Sequence, residues 1–444
     1  MKEIKDKLKK GMLSSLIGKF STYIIQFTLM VVYARVFTPE QFGVFAAIQV
    51  FVIFFQMLGE IGLGPALINQ QSITPTDRNG IFTATALIGL TVAIVFYFFT
   101  FFLNSYYNRT DYQDYGTLLS AAIFFQSLCT IPLVTFQKER KFITIAKVDA
   151  TAELISAIFV LSLAHLGKPL YALASRPLVV AISKFFIMNS IAKSTAIGSC
   201  QFGRNIAAVK PLLEFSTYQF AFNFVNYFSR NLDNILVAKY LGASSLGIYD
   251  KAYQLMRYPL MLLTFAMTPA IQPVITEHRS DMKMVLTIHN EFVEKMSILG
   301  VIVGFAMYML ANPIVTILLG NQWLQVIPIL EILAIIIPIQ IVLSTSGSFF
   351  QAMNRADLLF ASGLVSAIFN VAAIITGIYI GTLEAICWGL VVSFSINFIQ
   401  SYWVMYRFVY CVNFFIFFQT IIKSLIFAIS LSTSLWLFEI MNAQ

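Results

Sequence analysis

The sequence predicts an all-α polytopic membrane protein built as two six-helix lobes plus about one extra C-terminal span, about 13 spans within a range of 12–14. Three observations predict it. The 444-residue chain is 58% hydrophobic and only 11% charged, with mean hydropathy +0.79; a soluble domain carries about 25% charged residues. Apolar runs of about 20 residues, enough to cross a hydrocarbon core of about 30 Å, recur along the whole chain. The chain also repeats itself about 204 residues apart, without a gap. Ala34-Arg35-Val36-Phe37 aligns with Ala238-Lys239-Tyr240-Leu241, Phe42-Gly43-Val44-Phe45 with Leu246-Gly247-Ile248-Tyr249, and Pro65-Ala66-Leu67 with Pro269-Ala270-Ile271. A duplicated set of membrane helices points to a two-lobed transporter with its substrate site between the repeats.

Each element follows in order. Residues 1–11 form a basic leader, and the apolar run behind it is too long for a signal-peptide core, carries Lys19 and lacks a small-residue cleavage site. They are read as a cytoplasmic leader before a retained first span. The N-terminal lobe, 12–191, holds spans 12–36, 41–66, 80–103, 116–136, 148–166 and 169–191. The polar stretch 192–211, with Lys193, Arg204 and Lys210, is the cytoplasmic inter-lobe linker. The C-terminal lobe, 212–405, holds spans 212–238, 245–275, 292–318, 325–350, 357–380 and 383–405, and 406–444 adds a last span over 413–438.

Six spans per lobe bring both lobes in from the same side. With the N-terminus cytoplasmic, the inner loops collect Arg78, Lys138, Arg140, Lys141, Lys147, Lys193, Arg204, Lys210, Arg279, Lys283, Arg355 and Arg407. The outer loops hold little beyond Arg35, Arg109, Lys168 and Lys239, which satisfies the positive-inside rule. All loops are short, which leaves no room for a soluble domain.

Composition also excludes function classes. The net charge of +8 lies mostly in those loops, where it sets orientation, so nucleic acid is not an expected partner. Cys129, Cys200, Cys387 and Cys411 are scattered, and His165, His278 and His289 fall at predicted helix ends or in loops. No metal site, catalytic constellation or phosphate-cradling glycine loop emerges, and no cofactor is expected. Asn108-Arg109-Thr110 fits a glycosylation sequon on the outer side, a match too common to carry an argument.

The informative residues are ionisable groups at membrane depth, which cost a few kcal/mol each and usually face a bundle interior, a water-filled cavity or a partner charge. They are Lys19, Glu60, Asp149, Glu153, Arg176, Lys184, Glu214, Arg230, Asp233, Asp250, Lys251, Arg257, Glu331 and Lys423. Arg230, Asp233 and Asn234 share one helix face, as do Asp250 and Arg257, while Lys251 points about 100° away from Asp250. The structural alternative is an ion pair, Arg230 with Asp233, that only keeps its helix insertable. Several charges crowd the first two spans of the second lobe, however, and Lys19 and Glu60 occupy the equivalent two spans of the first. Several cations suit an anionic group, above all a phosphate or diphosphate. The carboxylates beside them are open to a coupling proton or sodium ion, or to charge balance alone. Pro65 and Pro269, equivalent in the repeat, are candidate hinges, with span ends as the alternative. Gly300 and Gly304 form a small-xxx-small pair suited to close helix packing.

The run Asn223 to Gly242, with Ser229-Arg230-Asn231-Leu232-Asp233-Asn234 at its centre, and its continuation Leu246-Gly247-Ile248-Tyr249-Asp250-Lys251-Ala252-Tyr253-Gln254-Leu255 resemble the polysaccharide flippases of the multidrug/oligosaccharidyl-lipid/polysaccharide exporter superfamily. The likeness is greatest to the colanic-acid and teichuronic-acid exporter branch, of Wzx type. Ala34 to Gly43, Gly62 to Ile68, and Leu319-Gly320-Asn321-Gln322-Trp323 look like turns of the same family.

The resemblance implies a MATE/MurJ-like fold with alternating access. It implies that undecaprenyl-diphosphate-linked oligosaccharide is moved across the bacterial inner membrane for O-antigen, capsule or exopolysaccharide synthesis. Expected partners are that lipid-linked sugar, membrane lipids, and polysaccharide polymerase and chain-length machinery. Lys19, Arg230, Lys251 and Arg257 are the candidates for holding the diphosphate. Glu60, Asp233 and Asp250 are candidates for coupling or charge balance, and Asn234 for a polar cavity position. The family usually has fourteen spans against the thirteen read here: either the last span is missing, which would leave Gln444 on the outer side, or one of the thirteen divisions is misplaced. Three other readings stand beside it: an ion-coupled drug or metabolite antiporter of the same superfamily, a membrane polymerase or ligase of glycan assembly, and a scaffold without transport. Cations at depth argue against the first and the lack of a large outer loop against the second.

Overall fold

A computed structural model of the protein describes residues 2–60, 63–70, 74–195 and 197–443. Every regular element among them is helical, as it must be where backbone polar groups have no water to pair with. The helices are α1 (Lys2–Val36), α2 (Pro39–Glu60), α3 (Leu63–Asn69), α4 (Pro75–Tyr107), α5 (Tyr112–Leu128), α6 (Thr130–Lys138), α7 (Phe142–His165) and α8 (Pro169–Ala192). After a 3₁₀ turn at Ile206–Val209 come α9 (Lys210–Tyr240), α10 (Ala243–Glu277), α11 (Met282–Met309), α12 (Ala311–Ile314), α13 (Val326–Ala334), α14 (Ile337–Ala352), α15 (Ala356–Ile380), α16 (Leu383–Val404) and α17 (Phe415–Ala443). Single π-helical stretches, Val315–Leu319 and Met405–Val409, close α12 and α16.

By length and apolarity, eight helices among the described residues qualify as membrane spans, or nine if α13 and α14, bent by 57°, count as one. The other long helices, α1, α7, α9 and α10, are those that carry Lys19, Asp149 with Glu153, Arg230 with Asp233, and Asp250 with Lys251 and Arg257. The expected span 116–136 falls on α5 and α6, which qualify together as one span over Tyr112–Lys138, and 41–66 falls on α2 and α3, with 61–62 outside the described residues. The leader is continuous with the first span in α1. Pro65 and Pro269 fall in α3 and α10, and their side chains, like that of Glu214, lie outside the described residues.

The chain packs as two compact units, Met1–Gly247 and Ile248–Gln444. In the first, α7 and α8 form an antiparallel hairpin, α1 lies on α7, and α5 packs against α4 and α8. Helix α2 packs against α4, α5 and α9. Its start is a capping box: Thr38 N–H donates to Gln41 Oε1 (3.0 Å) and Gln41 N–H to Thr38 Oγ1 (3.3 Å), with Pro39 as the first helical residue. At the equivalent point of the repeat, Gly242 (φ +89°) ends α9 in the left-handed conformation that glycine favours, and α10 begins at Ala243.

These two helix starts interlock. A Cβ placed on Gly43 would overlap the Ala243 carbonyl oxygen, and one on Gly247 would overlap the Pro39 carbonyl oxygen. Gly43 and Gly247 are repeat equivalents, and so are Pro39 and Ala243, which makes the contact reciprocal. All four residues lie in the first unit.

The expected linker is not a loose tether. Gly203 N–H donates to Thr83 Oγ1 (2.8 Å), Gln201 N–H to Asn79 Oδ1 (3.2 Å), and Asn205 Nδ2 to Asp77 Oδ1 (2.9 Å). The Arg78 guanidinium donates to the Ile197 carbonyl, and Asn189 Oδ1 accepts from Cys200 N–H (2.7 Å). Residues 197–205 thus form a strap fixed to the start of α4. Burial pushes the Cys200 thiol up to about 12, so it stays protonated and unreactive.

In the second unit, α11 packs on α13, α14 and α17, and α15 pairs with α16. The predicted small-residue pair does bring helices close: a Cβ on Gly300 would lie 2.8 Å from Pro338 Cα, and one on Gly304 2.9 Å from the Ala334 oxygen. His289, expected at a helix end or in a loop, is instead fully buried in α11 against Phe349, Tyr402, Tyr406 and Tyr410. Aromatic packing absorbed a residue that its polarity placed outside.

Replacing Gly43 with Ala forces a methyl group into the Ala243 carbonyl and is expected to cost about 1–3 kcal/mol. Thermal unfolding in detergent should show a lower Tm than the wild type. Gly64→Ala, at a site with nothing within 4 Å, should not lower it.

Candidate functional site: charges on apolar helices

Within the first unit, α7 and α8 carry a two-rung ladder. Arg176 grips Glu153 with both arms of its fork, Nη2 lying 3.1 Å from each carboxylate oxygen and Nε 3.3 Å from Oε2. Lys184 Nζ lies 2.8 Å from Asp149 Oδ1. The order is that of an antiparallel hairpin: Glu153, nearer the turn, meets Arg176, and Asp149, farther away, meets Lys184. Arg176 also sits over the Tyr33 ring of α1 at 5.8 Å. A bidentate Arg–carboxylate pair of this kind neutralises two charges that hydrocarbon would otherwise reject. The four charges were legible in the sequence as ionisable groups at membrane depth, but their pairing was not, because it depends on the register of α7 against α8.

The predicted site residues divide by environment. Lys19 on α1 and Arg230 on α9 are exposed side chains. Asp233, one turn from Arg230, is buried, and its Oδ1 accepts the Asn234 backbone N–H at 2.8 Å. Glu60 ends α2 and is partly buried, its Oε1 accepting from Gln126 Nε2 at 3.1 Å. Gln126 belongs to a site that no charge pattern could reveal, because an amide in an apolar run gives no signal until its partner is known.

In the second unit, Asp250, Lys251 and Gln254 of α10 form a cluster. Lys251 Nζ donates to Gln254 Oε1 (3.1 Å) and lies 3.6 Å from Asp250 Oδ2, which accepts from Gln254 Nε2 (2.9 Å). The backbone does set Lys251 about 100° from Asp250. The long lysine stem overcomes that angle, and Gln254, one turn on, joins the two. Lys251 is buried, whereas Arg257 is exposed with its guanidinium 6.0 Å from the Tyr253 ring centre. Elsewhere Lys423 of α17 meets Glu294 of α11 at 2.7 Å.

The structure therefore brings together Asp250 and Lys251, and separately Arg176 with Glu153 and Lys184 with Asp149. Lys19, Glu60 and Arg230 stand on three different helices of the first unit. At the ends of α4 and α9 in that unit, Lys239 donates to the Tyr106 carbonyl and lies 4.9 Å from its ring centre. Arg109 holds Asp111 by two 2.9 Å bonds, which raise its already high pKa.

A sequence-family profile described as "Polysaccharide biosynthesis protein" matches residues 32–328. The teichuronic acid biosynthesis protein TuaB of Bacillus subtilis is 20% identical over 390 residues, covering 86% of this chain and 80% of its own. The lipopolysaccharide biosynthesis protein WzxC of Escherichia coli is 23% identical, covering 85% and 76%. The succinoglycan biosynthesis transport protein ExoT of Rhizobium meliloti is 24% identical, covering 88% and 79%. Among solved structures, the lipid II flippase MurJ in an inward closed conformation superposes with TM-score 0.71 at 17% identity, over 96% of this chain and 99% of that one. An inward-facing MATE-family multidrug transporter superposes with TM-score 0.67 at 11% identity, over 87% and 94%. The fold is thus the MATE/MurJ-like fold.

The ladder yields a prediction. Glu153→Gln strands the Arg176 guanidinium and should cost about 3 kcal/mol, seen as a lower Tm in detergent. Adding Arg176→Met to the same chain should recover most of that loss, because an apolar pair needs no counter-charge.

Proposed function

The chain belongs to the polysaccharide biosynthesis protein family, and from that premise we propose that it flips undecaprenyl-diphosphate-linked oligosaccharide units across the bacterial inner membrane by alternating access, for surface polysaccharide assembly. The observation that carries this reading is the exposed Arg230 guanidinium on α9, a forked anion donor on a helix that the sequence reads as a membrane span. Such a group must face something other than hydrocarbon, and a diphosphate matches its fork. Lys19, Lys251 and Arg257 supply further cations, and Asn234 a neutral polar contact. Glu60, Asp233 and Asp250 offset these charges or take up a coupling ion, H⁺ or Na⁺. Pro65 and Pro269 serve as hinges at equivalent points of the two lobes, 12–191 and 212–405, and 406–444 adds a span outside them. The N-terminus is cytoplasmic, and polysaccharide polymerase and chain-length proteins are the partners that receive the product.

The antiporter reading draws support from the structural likeness to MATE transporters, which is a likeness of fold. A cationic drug would meet Lys19, Arg230 and Arg257 as like charges, and this favours the anionic lipid.

Deleting the gene should make lipid-linked oligosaccharide accumulate in inner-membrane extracts, read by mass spectrometry, with surface polymer lost. Unchanged intermediates and intact polymer, in a cell without a redundant homologue, would remove the flippase reading. Arg230→Ala should lower export by about tenfold or more at unchanged protein level, the worth of charge-assisted hydrogen bonds of about 1.5–3 kcal/mol.

A further inference from the structure

Where α7 and α8 pack beside α2 and α5, three described carboxylates, Glu60, Asp149 and Glu153, stand with two cations, Arg176 and Lys184. Arg176 is taken by Glu153, and Lys184 by Asp149 at 2.8 Å. Glu60 makes no ion pair among the described residues; its carboxyl oxygen is held by the neutral Gln126 amide at 3.1 Å. The charged and titratable groups that face it are Lys184 from α8, with Asp149 of α7 behind it, and the Cys129 thiol from the junction of α5 and α6. Among the described side chains, α4 and α9, also packed against α2, bring no further charge to it. Cys129 is anchored to α8 through its contact with the Ala181 carbonyl (3.6 Å), so the α5–α6 junction is tied to α8 at this level.

An ionised carboxyl in such surroundings, with an amide as its only close donor among the described residues, is expensive unless a counter-charge reaches it or a proton neutralises it. A metal cation suits the place poorly. The amide presents its NH₂ to Glu60, and the Lys184 ammonium already stands within electrostatic range. A proton fits both facts. Glu60 is also only partly buried, so a proton can enter and leave.

We infer that Glu60 is a proton-carrying carboxyl of the first unit, and that the Lys184–Asp149 pair is the element that senses its charge. With Glu60 as the neutral acid, Lys184 stays on Asp149, as the structure has it. When Glu60 releases its proton to water, the anion left behind draws Lys184 toward α2. Asp149 and Glu60 then compete for one ammonium, and the tie between α2 and α8 tightens. Glu60 binds the ion; Lys184, Asp149 and Gln126 are positioning residues. The inference rests on the transport reading above and deepens it by committing the coupling ion to a proton at a named atom.

The test uses the full chain in lipid vesicles, without substrate. Infrared difference spectra between acidic and alkaline pH should show a carboxylic-acid C=O band that disappears in Glu60→Gln and remains in Asp149→Asn. Gln126→Leu should shift that band to higher frequency, because the C=O loses its donor; this variant also covers a Glu60→Gln protein that fails to fold. Spin labels on cysteines replacing Ile53 of α2 and Phe186 of α8, both exposed, with the exposed Cys411 changed to Ser, report the second half. Their separation should change with pH in the otherwise native chain and stay fixed in Glu60→Gln and in Lys184→Met. A band that survives Glu60→Gln overturns the proton site. A separation that still responds to pH in Lys184→Met, or never responds in the native chain, overturns the sensing pair. Polymer export is read independently: intact export after gene deletion would remove the flippase reading and leave the proton site standing.

Discussion

The low dielectric of the bilayer is the constraint on which this fold depends, because every charge carried into it must bring its own partner or face water. The first unit meets that constraint in two ways. Between α7 and α8 the charges are paired off, Arg176 on Glu153 and Lys184 on Asp149, and the hairpin register follows from those pairings as much as from its short turn. On α1 and α9, Lys19 and Arg230 are exposed to surroundings outside the packed interior. Paired charges let a helix insert, and these two pairs occupy helices other than the two that carry Lys19 and Arg230.

A second constraint is steric and comes from the duplication. The starts of α2 and α10 approach so closely that neither Gly43 nor Gly247 has room for a side chain against the partner's carbonyl. A duplicated sequence can satisfy such a contact once and have it satisfied twice, since each glycine fills the role that its equivalent requires. The local devices that start the two helices are nevertheless different, a capping box at Thr38 and a left-handed glycine at Gly242. The repeat therefore preserves the crossing and leaves the capping free to vary.

Polar residues without charge complete the arrangement. Gln126 steadies Glu60, Gln254 bridges Asp250 and Lys251, and Asn79 with Thr83 holds the strap 197–205 against α4. In each case an uncharged amide or hydroxyl mediates between groups that geometry alone would leave apart. In the second unit, His289 is enclosed by four aromatic rings, with Tyr406 OH 3.3 Å from its Nδ1. A polar ring there is part of the packing.

The sequence by itself determined the helical membrane class, the duplication, the charged residues at depth and, through motifs around Arg230 and Asp250, the family. Each of these is written in composition or in spacing along one chain, which hydropathy and a fixed offset reveal. Tertiary structure alone decided which charges meet. Asp149, Glu153, Arg176 and Lys184 were legible as charges, but their pairing depends on the register of α7 against α8. Asp250 and Lys251, adjacent and angled apart on the helix, come together only because a flexible stem bends toward Gln254. The polar stretch 192–211 read as a linker because its composition is that of a loop, and its attachment to α4 depends on hydrogen bonds to residues more than a hundred positions away. Periodicity and hydropathy describe what each helix is; which helix faces which is settled by long-range contacts such as Gly43 with Ala243, for which no local pattern exists.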